Sequence, residues 1–259
     1  MSLLSDTYHL FIRAMKKLMR NPILLFFSLF QPIIFLLLFT QLFSSFANVP
    51  GFSTATGATT YLAFATPGIL LQNAFSSALQ SGTSIVSDLD SGMLQKMLVT
   101  PVSRSAILLG RLVSDAVRVV AQSLIILVMA YFLGAQFATG VPGVLLMLLT
   151  IAFFGLAWSG ISLTLGLKTK SAETVFGIGA FLTFPLLFMS TALTPQAFMP
   201  NWIQTVSQVN PISYTVNAVR VLSLSGFDWG VIGADYAFIG GLAVFTLGAT
   251  LYLFRKVVS

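Results

Sequence analysis

Six stretches of this chain are apolar over roughly the length of a bilayer crossing, and no other feature limits the fold as strongly. They cover residues 23–43, 61–85, 107–133, 142–167, 175–192 and 232–254. A helix that crosses the hydrocarbon needs about 20 apolar residues. Inside lipid every backbone N–H and C=O must be satisfied within the protein, which leaves helices or a closed barrel. The runs are continuous and lack the in/out alternation of barrel strands, so helices are expected. Composition agrees. The chain is 56% hydrophobic and 8% charged, against about 25% charged in a soluble domain, which argues against a soluble enzyme. The sequence therefore predicts an all-α membrane protein with six transmembrane helices. The second run is interrupted by Gln72, Asn73 and Gln80. The third opens on a polar turn with Arg111, Asp115 and Arg118, so its lipid-embedded part is expected from about Val119.

Lysine and arginine set the orientation of such a chain, because they are retained on the cytoplasmic side. Arg13, Lys16, Lys17 and Arg20 precede the first run. Lys96, Arg104, Arg111 and Arg118 follow the second, Lys168 and Lys170 the fourth, and Arg255 and Lys256 the sixth. The connections after the first and third runs have neither residue, and the one after the fifth has only Arg220. Both termini are then cytoplasmic. The net charge of +6 reflects this cytoplasmic face and does not require nucleic acid. The first apolar run follows a basic segment and is too long for a cleaved signal peptide.

Several chemistries are excluded. There is no cysteine, hence no thiolate nucleophile or Cys-based metal site. His9 is the single histidine, so a multi-His metal site is excluded as well. A P-loop is absent, and the chain is not expected to bind or hydrolyse ATP. Ser159 lies inside a run, but a nucleophilic serine needs a nearby base, and His9 lies outside the bilayer. Asn-Pro-Ile occurs at Asn21 and at Asn210 and resembles the paired boxes of six-span aquaporin-like channels. The first box, however, precedes every span. Asp235 and Glu173 lie only at span ends, so no midplane ion site supports a passive channel or an ion-coupled carrier.

Three segments are not spans. Residues 1–21 form an amphipathic interface helix: Leu4, Tyr8, Phe11, Met15 and Leu18 share one face, and Arg13, Lys16, Lys17 and Arg20 lie elsewhere, toward lipid headgroups. Asn21-Pro22 then turns the chain into the membrane domain, residues 22–259. The second segment covers about residues 88–100. Asp88 and Asp90 are expected before a short helix capped by Ser91. Met93, Leu94, Met97 and Leu98 form its stripe, and Pro101 ends it before Arg104. That stripe suits docking into a groove on another protein, or packing on this chain's own spans or on lipid. The third segment, about residues 193–231, shows two short helical patterns broken by Pro211. Such helices can dip into the outer leaflet if protein covers their ends.

The stretch GMLQKMLVTPVSRSAILLGRLV, residues 92–113, resembles the signature of type-2 ABC transporter permeases, among them multidrug, daunorubicin-resistance, nodulation-factor and polysaccharide exporters. FMPNWIQTVSQVNPISYTVNAVRVL, residues 198–222, is similar to their second signature, before the last span. The resemblance covers nearly the whole chain. It implies a prokaryotic plasma (inner) membrane permease, a cytoplasmic coupling helix carrying Asp88, Asp90, Met93, Leu94, Met97, Leu98, Pro101 and Arg104, and extracellular re-entrant helices carrying Trp202, Asn210, Pro211, Tyr214 and Arg220. It also implies two copies of a separate ATPase that binds ATP and Mg, and a second, often identical, permease. An acidic residue is common where Gln95 stands, which removes a specific charge pair at that position. The aromatic and amide groups Phe35, Phe39, Gln72, Asn73 and Phe188 are candidates for the substrate path, suited to an amphipathic drug, lipid or glycolipid moved out of the cell.

Overall fold

The computed structural model describes residues 3–258, and helix is its only regular structure, with no strand among the described residues. Met1, Ser2 and Ser259 of the expected terminal segments lie outside the described residues, as do the side chains of Leu24, Leu25, Val257, Val258 and Arg255, one of the basic anchors. In chain order the helices are α1 (Leu3–Met19), α2 (Pro22–Leu42), α3 (Phe52–Thr56), α4 (Tyr61–Asp90), α5 (Met93–Leu98), α6 (Arg104–Phe132), α7 (Gly140–Thr169), α8 (Ala172–Phe188), α9 (Asn201–Val209), α10 (Pro211–Arg220) and α11 (Trp229–Val258). Of the six expected spans, α6, α7 and α11 are long and apolar enough to cross a membrane by length and composition. The apolar helices α2 and α8 have 21 and 17 residues. At 30 residues, α4 is about 45 Å long, but its polar positions lower its hydropathy.

The centre of the bundle is α4 against α7, flanked by α6 and α11. Phe75, Phe154 and Trp158 meet there, with ring centroids 4.7–5.5 Å apart. Lipid is as apolar as the bundle interior, so close packing and interhelical hydrogen bonds hold such helices together more than apolar burial does. Gly82 illustrates the packing: a Cβ there would lie 2.5 Å from the Ser162 carbonyl oxygen of α7. A second apolar cluster closes the α5 end, where Ile85, Leu94, Leu108, Leu167, Val175 and Phe254 pack together.

The ends of the elements differ from the expected boundaries in an instructive way. The short helix does not begin at Asp88. Instead α4 runs on to Asp90, so both aspartates sit at the negative end of its dipole. Ser91 follows α4 as its C-terminal cap residue and donates to the Asp88 carbonyl at 3.5 Å. The cap of α5 is Gly92, at φ 66°, with no side-chain cap bond. By contrast Ser103 caps α6, accepting from the Ala106 N–H at 3.2 Å. The fifth apolar run is helical from Ala172, capped by Ser171, and stops at Phe188.

Candidate functional site

α5 closes one end of α4, and α9 and α10 lie at the other. Every described lysine and arginine except Arg220 belongs to the α5 end or to the row of polar side chains running inward from it.

At the α5 end the Met/Leu stripe is turned inward. Leu94 is 1% exposed, and Met97 and Leu98 pack against the same cluster, with Met93 half-buried beside them. Of the packing partners that the pattern left open, the stripe meets this chain's own helices. The opposite face is solvent-directed: Gln95, Lys96, Thr100, Pro101 and Arg104 are exposed, and Val99 is 86% exposed.

Asp88 ties three elements together. Its Oδ1 accepts from Lys17 Nζ of α1 at 3.0 Å, and its Oδ2 from Arg111 Nη2 of α6 at 2.7 Å. These two cations offset the unfavourable position of a carboxylate at a helix C-terminus. Asp90, two residues on, is exposed. Arg13 donates to the Met97 sulfur, joining α1 to α5. Asp6 is buried, and its carboxylate accepts from the Ser103 N–H at 3.5 Å. Close approach of α1 and α6 depends on Gly110, where a Cβ would lie 2.7 Å from Leu10 Cβ. Lys16 and Arg20 are exposed.

From Asp88 a row of polar contacts runs up the α4–α6 seam. Arg111 also donates to Ser84 Oγ at 2.7 Å. Ser81 donates to Asp115, which pairs with Arg118 at 3.3 Å. Arg118 donates to Gln80 Oε1 at 2.7 Å and to the Ser77 carbonyl at 2.6 Å. Ser77 donates to Gln122 Oε1, and Gln122 to Ser28 Oγ of α2, both at 2.8 Å. Asn73 reaches Ser123 at 3.5 Å. Arg118, placed at the membrane rim by the sequence pattern, sits near the middle of α6, about 21 Å from its start. The spacing carried a signal for this row: 73, 77, 80/81, 84 and 88 on α4 face 111, 115, 118 and 122 on α6, each set stepping by three or four.

Two cavities adjoin the row and share Asn21 and Gln80. One, of about 460 Å³, lies between α1, α4 and α6 at the α5 end. The other, of about 440 Å³, separates α2 from α4 and is lined by the amides and hydroxyls of Ser28, Gln31, Asn73, Ser76, Ser77 and Gln80. Of the expected path residues, Asn73 alone lines this cleft. Phe35 and Phe39 stack on each other farther along α2 (5.4 Å), Gln72 is half-buried, and Phe188 is 64% exposed.

At the far end, Asn210 and Pro211 form the joint between α9 and α10. Asn210 Oδ1 accepts from the Ile212 N–H at 2.9 Å, and its Nδ2 donates to the Leu186 and Met189 carbonyls, so one side chain starts α10 and satisfies the end of α8. Arg220 donates to the Thr191 carbonyl at 2.7 Å and the Phe64 carbonyl at 3.3 Å, and its guanidinium lies 4.2 Å from the Phe64 ring centroid. Tyr214 stacks on Phe238 of α11 at 4.3 Å. Ile212, Val216 and Val219 are buried in the core, whereas Trp202 on α9 is 64% exposed.

Comparison with known proteins follows the same distribution of features. The chain is 30% identical over 244 residues, 94% of its own length and 84% of the relative's, to the daunorubicin resistance ABC transporter permease protein DrrB1 of Streptomyces coeruleorubidus. It is 33% identical over 223 residues to ycf38 of Cyanophora paradoxa, which carries a transport-permease name, covering 85% of this chain and 74% of that one. Similarity to the doxorubicin resistance permease DrrC of Mycobacterium tuberculosis is 28% over 157 residues, 59% of this chain and 56% of the relative. The family model for ABC-2 type transporters matches residues 5–224, which takes in α1, the polar row, α5 and the Asn210–Arg220 segment, and the chain therefore belongs to the ABC-2 type transporter family of membrane permeases.

Proposed function

We propose that this chain is the permease subunit of an ATP-driven exporter, energised by a separate ATPase through α5. The observation that carries this reading is the two-faced character of α5. Its inner face packs through Leu94, Met97 and Leu98 on residues of α1, α4 and α6, which the Asp88 pairs hold to one another. Its outer face offers Gln95, Lys96, Val99 and Thr100. A force applied to the outer face reaches the bundle through these inner contacts. Met93, Leu94, Met97 and Leu98 are thus transmitting residues, and the exposed positions are the docking ones.

In this reading α2, α4, α6, α7, α8 and α11 are the six spans, both termini and α5 are cytoplasmic, and α9–α10 are the re-entrant helices on the outside. The inward-turned polar row allows α4 to cross despite its low hydropathy. Two ATPases, each binding ATP and Mg, act on a pair of permeases, which are two copies of this chain. The amide- and hydroxyl-lined cleft between α2 and α4 suits the polar part of an amphipathic drug or lipid-like substrate, with α2 aromatics on its apolar part. The relatives named for daunorubicin and doxorubicin resistance support the drug class.

Co-purification with candidate ATPases and flux in proteoliposomes test this. Val99→Asp places a charge on the outer face without touching the core. It is expected to abolish ATPase association and ATP-driven flux while leaving the melting temperature unchanged. Flux without any ATPase, or full ATP-driven flux in Val99→Asp, refutes the proposal.

A further inference from the structure

We propose that the cavity between α1, α4 and α6 is a built site for the phosphodiester headgroup of an anionic lipid, drawn from the leaflet at the α5 end. This inference does not rest on the transport reading.

Charge is the first reason. Arg13, Lys17, Arg111 and Arg118 line the cavity against Asp88 and Asp115, an excess of two positive charges. Asp88 is committed to Lys17 and Arg111, and Asp115 to Arg118. Arg13 has no carboxylate partner among the described residues, and its hydrogen bond goes to the Met97 sulfur. A thioether is a weak acceptor and cannot balance a guanidinium. Arg118, with a side chain only 9% exposed, keeps a buried Nε with no hydrogen-bond partner. A partly buried guanidinium without a counter-charge, as at Arg13, is costly. A phosphate that accepts from Arg13 supplies that counter-charge, and guanidinium is the side chain best shaped for it.

Shape and position point to a lipid. The volume of about 460 Å³ suits a headgroup with its glycerol. Between the cations the lining is apolar, with Leu10 and Ala14 on α1, Ile85 on α4 and Ile107 on α6. Beside the cavity, α1 leaves Leu4, Tyr8 and Met19 exposed by 80%, 60% and 72%. An amphipathic helix with that face lies at the headgroup–acyl boundary, which sets the cavity at headgroup level. A choline headgroup would bring its own cation toward Arg13 and Lys17, so phosphatidylglycerol is favoured over phosphatidylcholine.

The test titrates the purified full-length chain in neutral detergent with phosphatidylglycerol or phosphatidylcholine. Bound lipid is counted by native mass spectrometry, and each melting temperature is recorded. One phosphatidylglycerol is expected to bind in preference to phosphatidylcholine. Arg13→Gln removes the unpaired cation and is expected to weaken binding by about fivefold, the worth of one cation at an anionic membrane surface. Lys16→Gln, on the same helix but outside the cavity, leaves it unchanged. Ala14→Phe keeps every charge but fills the cavity, and is expected to abolish the bound lipid. Wild-type binding in both Arg13→Gln and Ala14→Phe, or equal binding of phosphatidylcholine, overturns the proposal. Should Ala14→Phe fail to fold, the Arg13→Gln and Lys16→Gln pair decides alone, and equal losses in the two overturn it. A melting shift with millimolar inorganic phosphate as large as that with phosphatidylglycerol, and lost in Arg13→Gln, overturns the lipid source.

Discussion

Replacing Asp88 by asparagine should separate a strong ion pair from a weak one on a single carboxylate. The Lys17 ammonium, 3.0 Å away, sits on a side chain that is 60% exposed. Solvent screening and side-chain entropy leave such a pair worth about 0–1 kcal/mol. The Arg111 pair is different: its contact is 2.7 Å, and the two side chains are 16% and 12% exposed. Removing one partner of a largely buried pair costs about 3–5 kcal/mol, because the other charge is stranded. Ser84 still accepts from Arg111 at 2.7 Å, which places the expected loss near the lower end, about 3 kcal/mol. Double-mutant cycles isolate the two couplings. Unfolding in mixed micelles, driven by added SDS, supplies the free energies. Asp88→Asn with Arg111→Gln is expected to show a coupling of about 2 kcal/mol, the range of a charged hydrogen bond. Asp88→Asn with Lys17→Gln is expected to show less than about 1 kcal/mol. An Asp88–Arg111 coupling below about 0.5 kcal/mol, or a Lys17 coupling that matches it, would refute the reasoning that burial separates the pairs.

Two further outcomes are expected. Leu94→Ala should cost about 2–5 kcal/mol in the same unfolding measurement, because a side chain 1% exposed leaves a cavity in the α5 cluster; a loss under about 1 kcal/mol would mean α5 is not anchored there. Arg220→Met removes two charge-assisted bonds and a cation–π contact and should destabilise by about 3 kcal/mol, with Arg220→Lys intermediate because an ammonium cannot reproduce the fork. Limited proteolysis within 193–231 should accelerate in the same order, and equal rates in all three proteins would contradict a clamping role.

Much of the architecture was legible because one period and one composition govern it. The runs at 107–133, 142–167 and 232–254 became α6, α7 and α11, and Pro211 divides α9 from α10 as its missing N–H requires. The boundary at Asp88 was misread because propensity places aspartate before a helix, while tertiary pairing with Lys17 and Arg111 holds it at the end of one. The direction of the Met/Leu stripe could not be read, since spacing defines a face but not its partner. The polar residues of α4 looked like interruptions of a span. Only their register against those of α6, which depends on how the two helices pack, turns them into one row.

That row also determines how α4 and α6 can move against each other. Hydroxyl, amide and charged groups recur about once per turn along the shared stretch of both helices, so sliding by one turn would bring the inner members of the row against other polar groups and not against hydrocarbon. Smaller displacements would leave donors between acceptors. The seam therefore favours discrete positions over a continuum, as a toothed rack does, and a push at one end would arrive at the other as a step.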